Sequence, residues 1–380
     1  MVRSTKESFM SKKRLAIIGA NAAITMLIDK AKSLGYETHV FAWQCGDPGE
    51  KAADFFYPIS IDKKDEIAEK CRELGVIGVC SITSDFAAPT VSYVARKLGL
   101  PCNPEITGEV ARNKYKMRCA FREAGLFTPP FRQLGPDYSD ADVESIVYPV
   151  IVKPTDRWSS KGVTRVNCRE ELDAAVKYAI EESFDNHAIV EGFMEGQEYS
   201  AECLCFRGSR SILAFTQKQT TGYPHYIESG HFQPAELSEA DREKATKVIL
   251  KALEALHIEN GAAHAEFRTL PTGEIGIIEI GARMGGDCIG TDLTPVSTGK
   301  DYIRMVIDVA CGNEPDFSEV TVPTPVRIKF IMNRDDLTEL NRLQKDQPER
   351  IIRVAELDED FDRDVVDSST RHGYYLIKEA

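Results

Sequence analysis

Short apolar runs alternate with amphipathic segments over the first hundred residues. The runs that predict buried strands are 14–20, 39–43, 55–61 and 76–83. Segments with apolar residues every three or four positions separate them, and these predict helices after Gly19, over 64–74 and over 89–100. Strands alternating with helices indicate a parallel sheet with crossover helices. We therefore predict a small doubly wound α/β domain over residues 1–112.

The remaining residues follow a different, α+β pattern. The predicted strands are 148–154, 188–193, 199–206, 261–267, 274–280, 326–332 and 373–378. Residues 172–183 predict a helix, and a second helix starts at Ser238, which forms a capping box with Asp241. The strands at 261–267 and 274–280 flank a turn with Pro271 and Gly273, which favours an antiparallel hairpin. From about residue 313 a small β-rich α+β region is expected to end the chain.

Charge and composition exclude several classes of function. The chain has 47 Lys plus Arg against 60 Asp plus Glu, for a net charge of −13. Such an acidic protein is not expected to bind nucleic acid or an anionic membrane, and an anionic nucleotide would need a local cluster of cations. No run approaches 18 apolar residues, the N-terminus lacks a secretory signal, and the ten cysteines show no Cys-x-x-Cys pair. We expect a cytoplasmic protein without disulfides.

Two glutamates interrupt the apolar strands of the predicted hairpin. Glu266 and Glu279 lie thirteen residues apart across the turn. A buried carboxylate costs several kcal/mol unless a cation neutralises it. Each Glu alone can pair with an Arg or face solvent at a sheet edge. Two on adjacent strands, with Arg283 close behind, favour a shared Mg²⁺, with Mn²⁺ as a substitute.

Positive charges precede this hairpin. Lys153 interrupts an apolar strand, where it either reaches the sheet edge or holds a nucleotide phosphate. The loop 156–163 follows, and its Ser159, Ser160, Lys161 and Gly162 suit a phosphate tail, although an ordinary surface hairpin explains the loop equally well.

The segment 189–200 has groups suited to a nucleoside. Glu191 ends a strand, Phe193 and Met194 follow, and Glu198 lies beyond a turn. A flat apolar slot with polar groups at its edge suits adenine, and a second carboxylate suits a ribose diol. The alternative is a strand–turn–strand with solvated glutamates.

Taken in order, five segments resemble the ATP-grasp superfamily over roughly residues 113–312. They are NKYKMRCAFREAGLFTPPF (113–131), YPVIVKPTDRWSSKGV (148–163), IVEGFMEGQEYS (189–200), HAEF (264–267) and IIEIGARMGGD (277–287). The resemblance implies a two-lobed ATP-grasp domain behind the N-terminal domain. It also implies Lys114 and Lys153 at the phosphates, Glu191 with Phe193 and Met194 at adenine, and Glu198 at ribose. Glu266 and Glu279 would bind Mg²⁺, and Arg283 would contact the reacting phosphoryl group. Many members have Asn two residues after the second metal-binding Glu, whereas this chain has Gly281.

Within the superfamily, the segment 225–238 followed by IEIGARMGGD is most similar to L-amino-acid ligases that make dipeptides. The substrates would then face Glu228, His231, Arg283, Gly285 and Gly286. A carboxylate beside an imidazole suits an α-ammonium group, although His231 can also be a structural histidine in a loop. Ser84 and Asp85 follow a strand of the first domain, at a position where open α/β sheets bind ligands or a helix is capped.

The predicted function is a ligase that activates a carboxylate as an acyl phosphate and joins it to an amine, with Lys153 and Arg283 supporting catalysis. The loop 156–163 is expected to close over the phosphates. The expected partners are small-molecule carboxylates and amines, and a homodimer is left open. Alternatives are a carboxylase or formyl-group ligase of the same superfamily and a non-catalytic ATP-binding protein. A nicotinamide dehydrogenase is disfavoured because GANAAI (19–24) lacks the later glycines of the dinucleotide fingerprint.

Overall fold

The computed structural model describes residues 12–157, 161–223, 226–358 and 360–379. Its strands are β1 (Lys13–Ile18), β2 (Tyr36–Phe41), β3 (Phe55–Tyr57), β4 (Gly78–Cys80), β5 (Phe131–Leu134), β6 (Val150–Pro154), β7 (Thr164–Val166), β8 (Ala188–Gly192), β9 (Gln197–Phe206), β10 (Ser209–Thr220), β11 (Glu228–Gln233), β12 (Gly261–Thr269), β13 (Ile275–Gly281), β14 (Val326–Phe330), β15 (Ile351–Val354) and β16 (Tyr374–Lys378). Its α-helices are α1 (Ala22–Ser33), α2 (Pro48–Ala52), α3 (Lys64–Leu74), α4 (Ala88–Lys97), α5 (Glu105–Val110), α6 (Lys114–Glu123), α7 (Asp140–Val143), α8 (Arg169–Glu182), α9 (Glu239–Ala255), α10 (Thr294–Thr298), α11 (Tyr302–Ala310) and α12 (Arg334–Asp346).

The chain forms two compact units. The smaller unit contains the residues up to 82, 86–102 and 303–315, and the larger unit contains 83–85, 103–302 and 316–380. This division differs from the predicted one. The segment 103–112, with α5, belongs to the larger unit, and most of α11 belongs to the smaller one. Sequence periodicity cannot reveal such a return of the chain, because it reports local structure alone.

The smaller unit is built on a parallel sheet, as the alternating pattern predicted. In the described residues its strands follow the order β3-β2-β1-β4, and every pairing is parallel. The apolar residues of β1 and β2 pack against α3 and α4, for example Ile18 and Phe41 against Ile67 and Val94. Crossover helices cover the sheet because parallel strands cannot be joined by tight turns.

The larger unit contains two antiparallel sheets. Among the described residues, the order in one is β5-β8-β6-β7, and in the other it is β13-β12-β9-β10-β11-β14-β16-β15. Helix α9 packs on the second sheet, with Ile249 and Leu253 against Phe267, and it begins at Ser238, whose hydroxyl accepts from the backbone N–H of Asp241 at 3.1 Å. The C-terminal strands extend this sheet through the β11–β14 pairing, and therefore do not form the separate subdomain expected over 313–380.

Three described strands of the large sheet, β10, β11 and β15, were not predicted. Residues 209–220 form β10, and the segment that was interpreted as a loop around Glu228 contains β11. Along this pair Gln219 lies opposite Gly230, but Thr220 lies opposite Glu228, so Ser229 is an extra residue in β11. Side chains alternate between the two faces of a strand, and one extra residue reverses that alternation. This bulge allows Glu228 and His231, three residues apart, to line one cavity.

Candidate active site

A cavity of about 270 Å³ lies in the larger unit. Seven Lys or Arg and six Asp or Glu residues line it in the described part of the chain: Lys114, Lys153, Arg157, Lys161, Lys218, Arg268, Arg283, Glu191, Glu198, Glu228, Glu266, Glu279 and Asp287. The local charge is therefore close to balanced in a protein whose net charge is −13. This is the cluster of cations that an anionic nucleotide would need in an acidic protein.

The two hairpin glutamates face each other. Glu266 of β12 is directly opposite Glu279 of β13, and such cross-strand neighbours share one face of the sheet. Lys218 Nζ lies 2.8 Å from Glu266 Oε1, and Lys114 Nζ lies 3.1 Å from Glu279 Oε1. Burial alone would raise the pKa of Glu266, but Lys218 and His264 hold it well below its usual range. The Glu266 carboxylate is thus available as an anion to a cation.

This donor set fits Mg²⁺ in charge and atom type, because hard cations take carboxylate oxygens and phosphate oxygens. In the described residues no group of three or more His, Cys, Asp or Glu side chains is arranged to hold a metal ion. At Gly281 an added Cβ would lie 3.0 Å from Asp85 Oδ1 and 3.2 Å from Arg283 Cζ. The space for the usual Asn side chain is therefore taken by the Asp85–Arg283 pair, and Glu266 and Glu279 remain the candidate protein ligands.

Lys153 and Glu191 belong to one buried ion cluster. Lys153 Nζ lies 2.5 Å from Glu191 Oε1, and Arg118 Nε donates to Glu191 Oε2 at 2.7 Å. Burial opposes ionisation of Glu191, yet Arg118 and Lys153 lower its pKa to about 2. Burial lowers the pKa of Lys153. Both residues line the cavity, but the Glu191 carboxylate anchors two cations, so the polar contact it was expected to offer adenine is already committed.

The predicted nucleoside residues also line the cavity. The ring of Phe193 is flanked by two guanidinium groups, with Arg165 Cζ 4.2 Å and Arg268 Cζ 5.0 Å from its centroid. Met194, which is largely buried, follows it. The Glu198 carboxylate is bound on both oxygens, by Lys218 at 2.9 Å and Arg268 at 2.9 Å. Phe193, Met194 and Glu198 thus line the same cavity, and cations that the sequence did not predict lie beside Phe193 and Glu198.

The candidate phosphate loop is only partly described. Ser159 and Ser160 lie outside the described residues, whereas Lys161 lines the cavity. Gly162 is not one of the described lining residues. It has φ of +71°, and an added Cβ would lie 2.7 Å from Pro154 Cγ. This glycine is required by a tight turn packed on β6, and its role in binding phosphate stays a prediction.

The predicted amino-acid residues lie together at one part of the cavity. Glu228 Oε2 accepts from the Ser368 hydroxyl at 2.8 Å, and Lys218 Nζ is 3.7 Å from Glu228 Oε1. His231 is 1% exposed, and neither of its ring nitrogens makes a hydrogen bond with the described residues. Asp287 Oδ2 lies 3.5 Å from its Nε2. A buried imidazole on a cavity wall whose nitrogens lack hydrogen bonds calls for a polar partner.

Arg283 and the two glycines after it differ in their surroundings. Arg283 lines the cavity and forms a bidentate ion pair with Asp85 at 2.7 and 2.9 Å. Gly286 also lines the cavity, and an added Cβ would meet no atom within 4 Å. Gly285 is not among the described lining residues, and its backbone N–H donates to the buried Glu202 carboxylate. The N–H of Gly285 is therefore engaged inside the protein, and its contact with a substrate stays a prediction.

Several charged residues of the site were missed from the sequence. Lys218 lies within reach of Glu198, Glu228 and Glu266, three carboxylates that had been assigned to three different ligands. Arg371 makes a bidentate pair with Asp287 at 2.7 and 3.0 Å and lies 3.6 Å from the Phe330 ring centroid. The available signal for Arg118 was its position one helical turn after Lys114, which places both side chains on one face of the helix.

Comparison with known proteins supports the resemblance to the ATP-grasp superfamily. Residues 146–292 match the family described as the ATP-grasp domain. This part of the chain is similar to the ATP-grasp domain. That match includes the β6 lysine, the nucleoside segment and the hairpin glutamates. At 39% of the chain it leaves the N-terminal α/β region and the C-terminal strands outside its limits.

The similarity to individual proteins extends beyond residues 146–292. The chain is 30% identical over 301 residues to alanine–anticapsin ligase of Bacillus subtilis, covering 70% of this chain and 63% of that relative. It superposes on the crystal structure of an L-amino acid ligase from Bacillus licheniformis with a TM-score of 0.82, at 27% identity, over 97% of this chain and 93% of that one. D-alanine–D-alanine ligase of Trichlorobacter lovleyi is 26% identical over 213 residues, covering 54% of this chain and 67% of that protein. In the described residues no helix is long and apolar enough to cross a membrane.

Proposed function

We propose that this protein is an ATP-dependent carboxylate–amine ligase that forms an amide bond through an acyl phosphate, with an α-amino acid as one substrate. The relatives whose names state a ligase activity support this function. Since the chain covers 63% of the alanine–anticapsin ligase sequence, its activity and substrates are inferred from its own residues as well.

The observation that carries the proposal is the pairing of Glu266 and Glu279 across β12 and β13, each beside a lysine, in the cavity that also contains Arg283. Two like charges directly opposite on adjacent strands are destabilising unless a cation joins them. A non-catalytic nucleotide-binding protein has no need for such a pair. A bound Mg²⁺ held by Glu266 and Glu279 would neutralise phosphate charge.

The lysines and Arg283 account for phosphoryl transfer. Lys114 and Lys153 present ammonium groups to the phosphates, while Glu191 and Glu279 hold them in place. A substrate carboxylate oxygen attacks the γ-phosphorus, the bond to the β-phosphate oxygen breaks, and ADP leaves. Transfer of this kind depends mainly on alignment and charge stabilisation, which fixed cations provide.

The second step uses the other part of the cavity. The amine nitrogen attacks the acyl carbon, the bond to the phosphate oxygen breaks, and the nitrogen loses a proton as the amide forms. Arg283 stabilises the oxyanion that develops. Glu228 and His231 bind the α-ammonium group of an amino acid, since a carboxylate and an imidazole nitrogen both accept its hydrogen bonds.

The test is a screen of ADP release with pairs of amino acids and small carboxylic acids, with products identified by mass spectrometry. The expected result is ADP release that requires both substrates, together with a product of the summed masses less one water. Activity with bicarbonate or formate in place of an amino acid would favour a carboxylase or formyl-group ligase. Nucleotide binding without turnover for any pair would favour a binding protein.

A further inference from the structure

Glu202 is a buried carboxylate that has no part in the proposed chemistry. It lies on β9 and is 0% exposed. The ion pair it makes among the described residues is with His264, whose Nδ1 is 2.5 Å from Glu202 Oε1. A charge buried this deeply is costly unless it is paired and hydrogen-bonded. Its neighbours therefore indicate what it contributes.

His264 connects Glu202 to the candidate metal ligand. On β12 it lies directly opposite Glu202 of β9 and two residues before Glu266, so all three side chains share one face of the sheet. His264 Nε2 lies 3.4 Å from Glu266 Oε1. The imidazole thus bridges a fully buried carboxylate and a cavity-lining one.

Glu202 also holds the glycine turn that follows β13. The backbone N–H of Gly285 donates to both Glu202 oxygens at 3.1 Å. An added Cβ on Gly285 would lie 2.3 Å from Glu202 Oε1 and 2.7 Å from His264 Nδ1. Such an approach is open only to glycine. Arg283, two residues earlier, is therefore on a segment fixed to the same carboxylate.

We infer that Glu202 and His264 are positioning residues that hold Glu266 and the turn carrying Arg283 in register. This inference rests on the proposed function for the identity of the cation that Glu266 binds. Partners of this outer kind fix the orientation of metal-binding groups, and their loss typically weakens metal binding about 10- to 100-fold. Glu202 is not among the described cavity-lining residues, and His264 lines the cavity beside Glu266. Both therefore act on the proposed chemistry through Glu266 and Arg283.

The test measures Mn²⁺ binding by electron paramagnetic resonance in the presence of a non-hydrolysable ATP analogue. His264→Asn keeps a group near the Nδ1 position, beside Glu202, but has none near Nε2, beside Glu266. It should weaken Mn²⁺ binding by about tenfold or more while binding the analogue alone with unchanged affinity. His264→Gln places an amide near Nε2 and should recover part of the Mn²⁺ affinity. Glu202→Gln should lower kcat more than it raises the KM for ATP.

The matched control is His39→Asn in the smaller unit. His39 is also a buried histidine, between Glu37 and Tyr57 at 3.1 Å each, and lies in no proposed site. Its substitution should lower the melting temperature and leave Mn²⁺ binding unchanged. A folded His264→Asn protein with parental Mn²⁺ affinity would overturn the inference, and so would a parental protein that binds no Mn²⁺ with the analogue. If His264→Asn fails to fold, Mn²⁺ binding is measured in His264→Gln, and kcat and the KM for ATP are measured in Glu202→Gln. Parental values in both variants would overturn the inference.

The two proposals can fail separately. A parental protein that binds Mn²⁺ with nucleotide but joins no substrate pair would refute the ligase function. The positioning role would still stand if His264→Asn weakened Mn²⁺ binding in that protein.

Discussion

The two units of this protein bury different kinds of side chain. In the smaller unit the buried polar residues of the described chain are Thr38, His39 and Thr90, each hydrogen-bonded to a close neighbour. In the larger unit they include Lys, Arg and Glu residues: Lys114, Arg118, Lys153, Glu191, Glu202 and Lys218. Among the described residues every buried Lys, Arg and Glu belongs to the larger unit.

This difference separates a region stabilised by apolar packing from a region prepared for ligands. Burying a charge costs several kcal/mol, and its partner recovers that cost only with good geometry. A fold has no need for six such residues, since apolar residues of similar volume often stabilise equally well or better. Chemistry on phosphates and carboxylates does need them. Substitution of charged residues should therefore affect stability and activity more in the larger unit than in the smaller one.

The largest expected effect is a loss of stability when Lys218 is substituted. Lys218→Met leaves Glu198 and Glu266 without their shared cation, and breaking a buried pair costs about 3–5 kcal/mol. Urea unfolding should report this loss in the free energy of unfolding. The control is Lys70→Met in the smaller unit, where the pair with Glu73 is on the surface, and it should change stability little. Equal losses in both variants would contradict the contrast between the units.

The next effect concerns activity and separates function from folding. Glu279→Gln removes a charge from the paired carboxylates and keeps the side-chain shape, so kcat should fall by more than about 100-fold, beyond the usual loss for outer partners of a metal. The melting temperature should stay near the parental value, because relief of the repulsion with Glu266 offsets the loss of the ion pair with Lys114. Glu274→Gln, exposed on the same hairpin, is the matched control. Near-parental turnover in Glu279→Gln would refute its assignment to the cation.

The third effect is a pH dependence of stability that originates in the larger unit. The pKa of Glu191 is about 2 in the folded protein, below its ordinary value of 4.5. A depressed carboxyl pKa contributes stability that is fully present above 4.5 and is lost as the pH falls from 4.5 towards 2. Unfolding free energies at pH 5, 4 and 3 should decline more steeply in the parent than in Glu191→Gln. The difference should approach about 1.4 kcal/mol per pH unit, the effect of one proton. Parallel slopes would show that Glu191 does not titrate in this range.

Local patterns in the sequence predicted the elements of both units well. Alternating apolar runs gave the parallel strands, and the thirteen-residue spacing of Glu266 and Glu279 correctly placed them on one hairpin. Ser238 and Asp241 correctly marked the start of α9. These features depend on neighbours within about fifteen residues, so the sequence contains them directly.

The pairing of distant charges was not predictable in the same way. Lys218 meets Glu266 because β10 and β12 both pair with β9, which is a matter of register across three strands. Gly285 was expected to face a substrate. No residue near it in the sequence indicates that its N–H donates to the Glu202 carboxylate, 83 positions earlier. The bulge at Ser229, which brings Glu228 to the cavity, likewise has no sequence signal of its own.

The smallest predicted effect concerns substrate recognition at Glu228. Its carboxylate accepts one hydrogen bond from Ser368 and lies 3.7 Å from Lys218, so its charge is only partly compensated by close partners. The nearby His231 has no hydrogen bonds within the described chain. Both groups therefore have acceptor capacity left for an α-ammonium group, which supplies three donors.

Glu228→Gln should accordingly lower kcat/KM for the amino acid about tenfold, the low end for loss of one charged hydrogen bond, while the KM for ATP changes little. The decisive comparison uses the amino acid and its des-amino analogue. The parent should discriminate strongly between them and Glu228→Gln only weakly, because the analogue has already lost the group that Glu228 binds. Glu236→Gln, exposed shortly after β11, should discriminate as the parent does. Equal discrimination by the parent and Glu228→Gln would mean that the amine is bound elsewhere. The Asp85–Arg283 pair would then be the next place to test, since Arg283 lines the same cavity and Asp85 is its ion-pair partner.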